Sequence, residues 1–230
     1  MIRRPPRSTQ SRSSAASDVY KRQVDYIPNE VAGIGIEVPQ KLDPDSFRQR
    51  YGIDAPYVAY VGRVSVSKNC HTLVEYFTRY KVTHPASPLV LVLVGQVEFP
   101  LPDHPDIVPL GFVSEEDKFN AVAGAELLLL PSRYESLSIA FLESLALGTP
   151  VLCNGTSPVL RGHCLRSNAA LYYHNYPEFE ASMELLLSDH RLRQILGRNG
   201  KQYVQKHYTW EQVLRKYHKL IADIAANPWW

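Results

Sequence analysis

The stretch ELLLLPSRYESLSIAFLESLALGTPVL, residues 126–152, decides how this chain reads. Leu127, Leu128, Leu129 and Leu130 form a short continuous apolar run, the pattern of a strand buried on both faces. A loop over residues 132–137 follows. Strong helix formers then run from about Ser138 to Leu147 and stop at Gly148. This order puts Glu135 in the loop at the carboxyl end of a strand, and Glu143 about one and a half turns into the next helix. Ligands of open α/β sheets bind at that edge. The two carboxylates therefore point towards one crevice, where they can accept hydrogen bonds from sugar or ribose hydroxyls.

Outward from this unit the chain alternates strand and helix. Residues 57–61 (YVAYV) and 89–94 (LVLVLV) repeat the buried-strand pattern. Between them, residues 69–83 read as a helix with Asn69 as N-cap. A weaker strand is expected over 107–110. Ser114-Glu115-Glu116-Asp117 has the form of a capping box and opens a helix to about Ala123. Strands follow at 150–153 and 171–173, and helices at about 177–188, 189–197 and 209–225, the last amphipathic. The alternation predicts a Rossmann-like, doubly wound parallel sheet with right-handed crossovers and a helical carboxyl-terminal extension.

A second candidate site is VGRVSVSKN, residues 61–69, after the first strand and before a helix. Backbone N–H groups and the helix dipole favour a phosphate there. Gly62 permits close backbone approach, and Arg63 and Lys68 supply a planar fork and a point charge to a diphosphate. Alone, these cations read more readily as solvated residues beside a turn. The acidic pair at another strand end of the same sheet favours the binding reading. Neither the dinucleotide fingerprint GxGxxG nor the Walker pattern is present.

Together with LVLVG and GFVSEEDKFNAVAGAELLLLPSRYESLSIAFLESLALGTPVL, this segment resembles the carboxyl-terminal half of a GT-B glycosyltransferase, more narrowly a retaining family 4 enzyme (glycosyl transferases group 1). The resemblance covers nearly all of residues 24–225. It implies that Arg63 and Lys68 hold the donor diphosphate. Glu135 and Glu143 match the E-x7-E motif, the first beside the donor sugar and the second on the ribose hydroxyls. Gly111, Phe112 and Val113 fall where the base is held. Backbone N–H groups near Ser138, Ile139 and Ala140 would help stabilise the leaving diphosphate. The implied catalytic residues are Glu135, Arg63 and Lys68. The donor-binding set is Gly62, Arg63, Lys68, Phe112, Val113, Glu135, Ser138, Ile139 and Glu143. No metal and no cofactor is implied beyond the nucleotide-diphosphate sugar as substrate, its base open.

The chain departs from the family pattern twice. A Gly-aromatic-Gly turn is replaced by Ser136-Leu137-Ser138, whose serines could offer hydroxyl contacts or an N-cap. A Gly-Gly-x-x-Glu segment is replaced by Asn154-Gly155-Thr156-Ser157-Pro158-Val159, followed by residues 160–168, read as loop. Within it, Ser167 and Asn168 stand either as sugar-orienting groups or as turn formers. His163, Cys164 and Cys153 match no zinc spacing and read as structural. Cys70-His71 reads as packing or capping. Tyr172, Tyr173 and Tyr176 read as core and rim aromatics, and Trp210 as an anchor.

Residues 1–23, rich in Arg and Ser and without apolar periodicity, read as disordered, non-native read-through rather than a signal peptide. They carry six Lys+Arg and one acid, so the rest of a chain of net charge +2 comes to −3. The basicity is confined to that tail and gives no ground for nucleic-acid binding. Three scattered cysteines fit a reducing compartment. No apolar run approaches the roughly 18 residues of a spanning helix. A cytoplasmic location is expected, with peripheral contact at an inner membrane compatible with it.

Residues 24–51 are expected to be an interdomain segment, with GIGIEVP (33–39) entering a nucleotide-sugar-binding domain over 52–230. A GT-B enzyme has a second Rossmann-like half that holds the acceptor. The expectation is therefore a truncated frame: the donor half of an enzyme with a carbohydrate or lipid-linked acceptor, inactive alone. Trp229-Trp230 would be an apolar end able to dock on the missing half. The alternatives are a non-catalytic nucleotide-sugar-binding module and a sugar-nucleotide epimerase of the same architecture.

Overall fold

The computed structural model describes residues 33–226. The amino-terminal tail at 1–23 and Trp229-Trp230 lie outside the described residues. Six strands form one parallel sheet: β1 (Tyr57–Val61), β2 (Val90–Val94), β3 (Ile107–Gly111), β4 (Leu127–Leu130), β5 (Val151–Asn154) and β6 (Ala170–Tyr173). Their spatial order is β3-β2-β1-β4-β5-β6. The sequence order reverses between β1 and β4, which pair through Val58 with Leu127 and Ala59 with Leu128. The switch point of a doubly wound sheet, where a crevice opens beyond the strand ends, lies between these two strands.

The continuous apolar runs have a simple cause: both faces of the sheet are covered. Alternate residues enter two separate cores, with Tyr57, Ala59, Leu128, Leu130, Val151 and Cys153 on one side. Val58, Tyr60, Leu127, Leu129 and Leu152 lie on the other. The first core is closed by α1 (Pro44–Tyr51), α3 (Glu115–Ala123), α4 (Ile139–Leu147), α5 (Pro158–Ser167) and α7 (His190–His207). The second is closed by α2 (Cys70–Thr83) and α6 (Tyr176–Ser188). A last helix, α8 (Trp210–Ala226), buries Val213.

Three readings of the helices need correction. Residues 44–51, read as part of a linker, form α1. Asp43 accepts from the Ser46 N–H at 3.0 Å, Pro44 starts the helix, Gly52 closes it at φ 64°, and Phe47 enters the core. Residues 158–167, read as loop, form α5, capped by Ser157 and ended by left-handed Asn168. The helix expected to stop at 197 continues to His207. Gly197 is there for close approach rather than termination: a Cβ at this position would stand 2.3 Å from the Gly148 carbonyl oxygen after α4.

Candidate functional site

The predicted site residues gather at the carboxyl edge of the sheet, around the switch point. Asn69 precedes α2 as expected but does not cap it, since it lies at φ 60° and makes no side-chain capping bond. Its Nδ2 instead donates to the Pro131 carbonyl at 3.1 Å, and Asn154 Nδ2 donates to the same oxygen at 3.1 Å. Asn69, in the loop after β1, and Asn154, at the end of β5, thus tie down the start of the loop that carries Glu135. Buried Cys70 packs at the start of α2.

Lys68 and Glu135 meet across the switch point. Lys68 Nζ donates to Glu135 Oε1 at 2.9 Å, and the Glu135 side chain is 13% exposed. A parallel arrangement holds the second glutamate: Lys118 Nζ donates to Glu143 Oε1 at 2.9 Å, with the Glu143 side chain 16% exposed. Lys118 escaped the sequence reading. The available signal was a cation one turn inside the capped helix α3, whose Ser114 Oγ accepts from the Asp117 N–H at 3.0 Å.

Beside these pairs opens a cleft of about 340 Å³ lined by Gly62, Arg63, Gly95, Phe112, Val113 and Lys118, among others. Its floor is backbone packed against backbone. Gly62 donates to Val94 O at 2.9 Å and Gly95 to Gly111 O at 2.8 Å. A Cβ on Gly95 would lie 2.0 Å from the Gly62 carbonyl oxygen. Phe112 is 80% exposed at the rim of this cleft. Gly62, Arg63, Phe112 and Val113 thus line one cleft, and Glu143 joins it through Lys118.

Ser138 and Ile139 begin α4. Ser138 occupies the N-cap position but makes no side-chain capping bond, so its hydroxyl does not play the capping part open to it. It adopts φ 64°, ψ 81°, a backbone state that suits glycine and strains serine. The first N–H groups of α4, at the carboxyl edge of the sheet after β4, are thus without a side-chain cap.

Ser167 and Asn168 do not belong here. They end α5, which starts at the carboxyl edge and runs to the opposite one. Ser167 Oγ accepts from the Ala169 N–H at 3.2 Å, the turn-forming role. The Cys153 and Cys164 Sγ atoms face each other at 3.4 Å in the core. His163 turns elsewhere, with Nε2 donating to Leu137 O at 3.0 Å and Nδ1 accepting from the Tyr203 hydroxyl at 3.1 Å. Burial holds its pKa below the usual histidine value. Tyr173 and Tyr176 are buried and Tyr172 half-buried. Trp210 packs its ring against Gly35 of the entering segment. No group of three or more His, Cys, Asp or Glu among the described residues is placed to hold a metal ion.

A doubly wound parallel sheet with two ion-paired glutamates at its carboxyl edge defines a Rossmann-like α/β domain. The sequence profile of the glycosyl transferases group 1 matches residues 43–203, well over half of the chain. The chain belongs to that family, and its fold is that of one half of a GT-B glycosyltransferase. An uncharacterized glycosyltransferase of Methanocaldococcus jannaschii is 26% identical over 181 residues, covering 74% of this chain and 46% of that protein. Sucrose-phosphate synthase of Thermosynechococcus elongatus superposes with a TM-score of 0.70 at 20% identity, over 92% of this chain and 57% of that one. The HepE protein of Anabaena, solved in complex with UDP-glucose, superposes at 0.66 and 15% identity, over 86% and 56%. The chain spans about half the length of these relatives. Among the described residues no helix is long and apolar enough to cross a membrane.

Proposed function

We propose that this chain is the donor-binding half of a retaining glycosyltransferase of family 4 type, which moves a hexose from a nucleotide-diphosphate sugar to a carbohydrate or lipid-linked acceptor. The observation that carries the reading is the Lys68–Glu135 pair at the switch point, beside the uncapped start of α4. An ammonium has three donors. One is bonded to Glu135, which leaves the others for a diphosphate oxygen while the carboxylate is held at the sugar. Arg63 presents its guanidinium to the same group from the cleft.

In this reading negative charge grows on the diphosphate as the bond to the anomeric carbon breaks. Arg63, Lys68 and the N–H groups of Ile139 and Ala140 stabilise it, fixed in place before the reaction. Glu135 faces the positive charge on the sugar ring. Glu143, oriented by Lys118, accepts from ribose hydroxyls, and Phe112 with Val113 borders the base. The domain that does this runs over 52–230 with α1 packed onto it, and segment 24–51 leads in from the acceptor-binding half. Without that half the chain binds donor but transfers sugar poorly.

Calorimetric titration with UDP, GDP and ADP tests the reading. Saturable binding of one nucleotide, lost in Arg63→Ala and Lys68→Ala, is the expected result. A cooperatively folded chain that binds none of them overturns the donor site. Robust sugar transfer by the chain alone overturns the need for a second half.

A further inference from the structure

The loop between β4 and α4 carries Glu135 and leads into the first N–H groups of α4. Its start is held through Pro131 O, and Tyr134 in its middle is 86% exposed. It ends on Ser138, in a left-handed state that strains a side chain. The turn Ser136-Leu137-Ser138 has no glycine to relieve it. Such a backbone persists only where its surroundings hold it. The holding contact falls one residue earlier. His163 Nε2 donates to the Leu137 carbonyl at 3.0 Å, and its ring stacks on Phe141 of α4 with centroids 5.2 Å apart.

His163 belongs to α5 and is 1% exposed. Burying an imidazole this deeply is costly unless its nitrogens are bonded, and here both are. A carbonyl can only accept, so Nε2 carries the proton and Nδ1 accepts from the Tyr203 hydroxyl at 3.1 Å. Tyr203, its proton committed, accepts in turn from Arg166 Nε at 3.3 Å. The chain of bonds fixes one tautomer and one ring orientation. An apolar ring would fill the same space beside Phe141. What the imidazole adds is a donor aimed at the loop.

We propose that His163 is a positioning residue, which acts through Leu137 O and Phe141 to hold the Glu135 loop and the start of α4 in the geometry that receives the donor. The role towards donor rests on the donor-site reading above, whereas the anchoring rests on these contacts alone.

Limited trypsin digestion of the folded full chain, read at the Arg133–Tyr134 bond by mass spectrometry, tests the anchoring without ligand. Proteases cut a folded protein through locally opened states. The parent should resist at this bond although Arg133 is exposed. His163→Phe keeps a ring against Phe141 but has no donor, and should be cut roughly tenfold or more faster. His163→Gln, whose amide restores a donor, should regain most of the resistance. Gly197→Ala, destabilised at the other end of α4, should be cut at close to the parent rate. UDP, GDP and ADP are titrated in parallel, and a nucleotide that binds the parent should bind His163→Phe more weakly. Three digestion results overturn the proposal: cleavage of the parent at this bond as fast as in a denatured sample, equal rates in the parent and His163→Phe, or equal acceleration in His163→Phe and Gly197→Ala. Equal nucleotide affinity in the parent and His163→Phe overturns the role towards donor. No binding by the parent counts against the donor site alone, because the digestion is read without ligand.

Discussion

Lys68 and Glu135 are 67 residues apart in sequence and 2.9 Å apart in space, joining the loop after β1 to the loop after β4 across the point where the sheet reverses order. Because Glu135 is largely buried and Lys68 only partly so, the pair lies between a surface ion pair and a buried one. Lys68→Ala should cost about 1–2 kcal/mol of stability, less than the loss from a fully buried pair. In a double-mutant cycle with Glu135→Ala, urea unfolding should give a coupling of about 1 kcal/mol. A coupling of zero would show that the contact contributes nothing in solution.

Lys118 acts at the other end of the site, through Glu143. Lys118→Met should weaken a nucleoside diphosphate by about an order of magnitude and leave pyrophosphate affinity nearly unchanged. Arg63→Ala should weaken both. Equal losses for the two ligands in Lys118→Met would place Lys118 on the phosphates instead of the ribose.

Ser138 carries backbone strain that no capping bond offsets. Ser138→Gly should raise the unfolding free energy from urea titration by a net of about 0.5–1 kcal/mol, the gain from the left-handed backbone reduced by the greater freedom of glycine in the unfolded chain. Asn69 has a similar φ but a different balance. Its Nδ2 holds Pro131 O and its Oδ1 accepts from Thr72. Asn69→Gly should therefore destabilise by about 1–2 kcal/mol.

Gly197→Ala sets a Cβ against the Gly148 carbonyl oxygen and should cost about 1–3 kcal/mol, although alanine is the better helix former. At Gly162 in α5 the nearest atom to an added Cβ is the flexible end of Arg166, at 2.9 Å. Gly162→Ala should instead stabilise by about 0.5–1 kcal/mol. Thermal unfolding of the two variants side by side checks the contrast.

His163 is held neutral in the fold, with its pKa lowered by burial. The unfolded chain binds the proton more readily, so its contribution to stability is complete above the usual histidine value of about 6.5. That contribution falls as pH drops from there towards the folded pKa. His84 works in the opposite sense: its bond to Glu184 raises its pKa, so its contribution is full below that usual value and is lost as pH rises through the folded pKa. Chemical unfolding at pH 7.5 and 5.5 should show a smaller acid loss in His163→Gln than in the parent. An unchanged loss would assign acid sensitivity to other groups.

Much of this was readable one segment at a time. Apolar runs of four to six residues, Ser114 three residues before Asp117, and Gly148 after a run of helix formers mark β1, β2, β4, α3 and α4 through forces that act within a few residues. The caps of α1 and α5 were present too, as Asp43-Pro44 and Ser157-Pro158. The buried face of α5, however, carries His163 and Ser167 beside Leu160 and Cys164, and α1 buries Phe47 alone. Neither helix therefore shows a clear apolar period. The linear pattern also placed Glu135, Glu143, Arg63 and Lys68 just after strands or early in the helices that follow them, because element order fixes which residues lie near the sheet's carboxyl edge.

What the sequence by itself determined is thus the order of elements, the parallel sheet and the side chains that reach its carboxyl edge. The tertiary structure alone decided that Lys68 pairs with Glu135 and Lys118 with Glu143, that Gly197 lets α7 close on α4, and that His163 of α5 reaches the Leu137 carbonyl. Periodicity and capping are set by neighbours in the chain. Ion pairs and close approaches depend on which distant segments the sheet order brings together, and no local pattern encodes that distance.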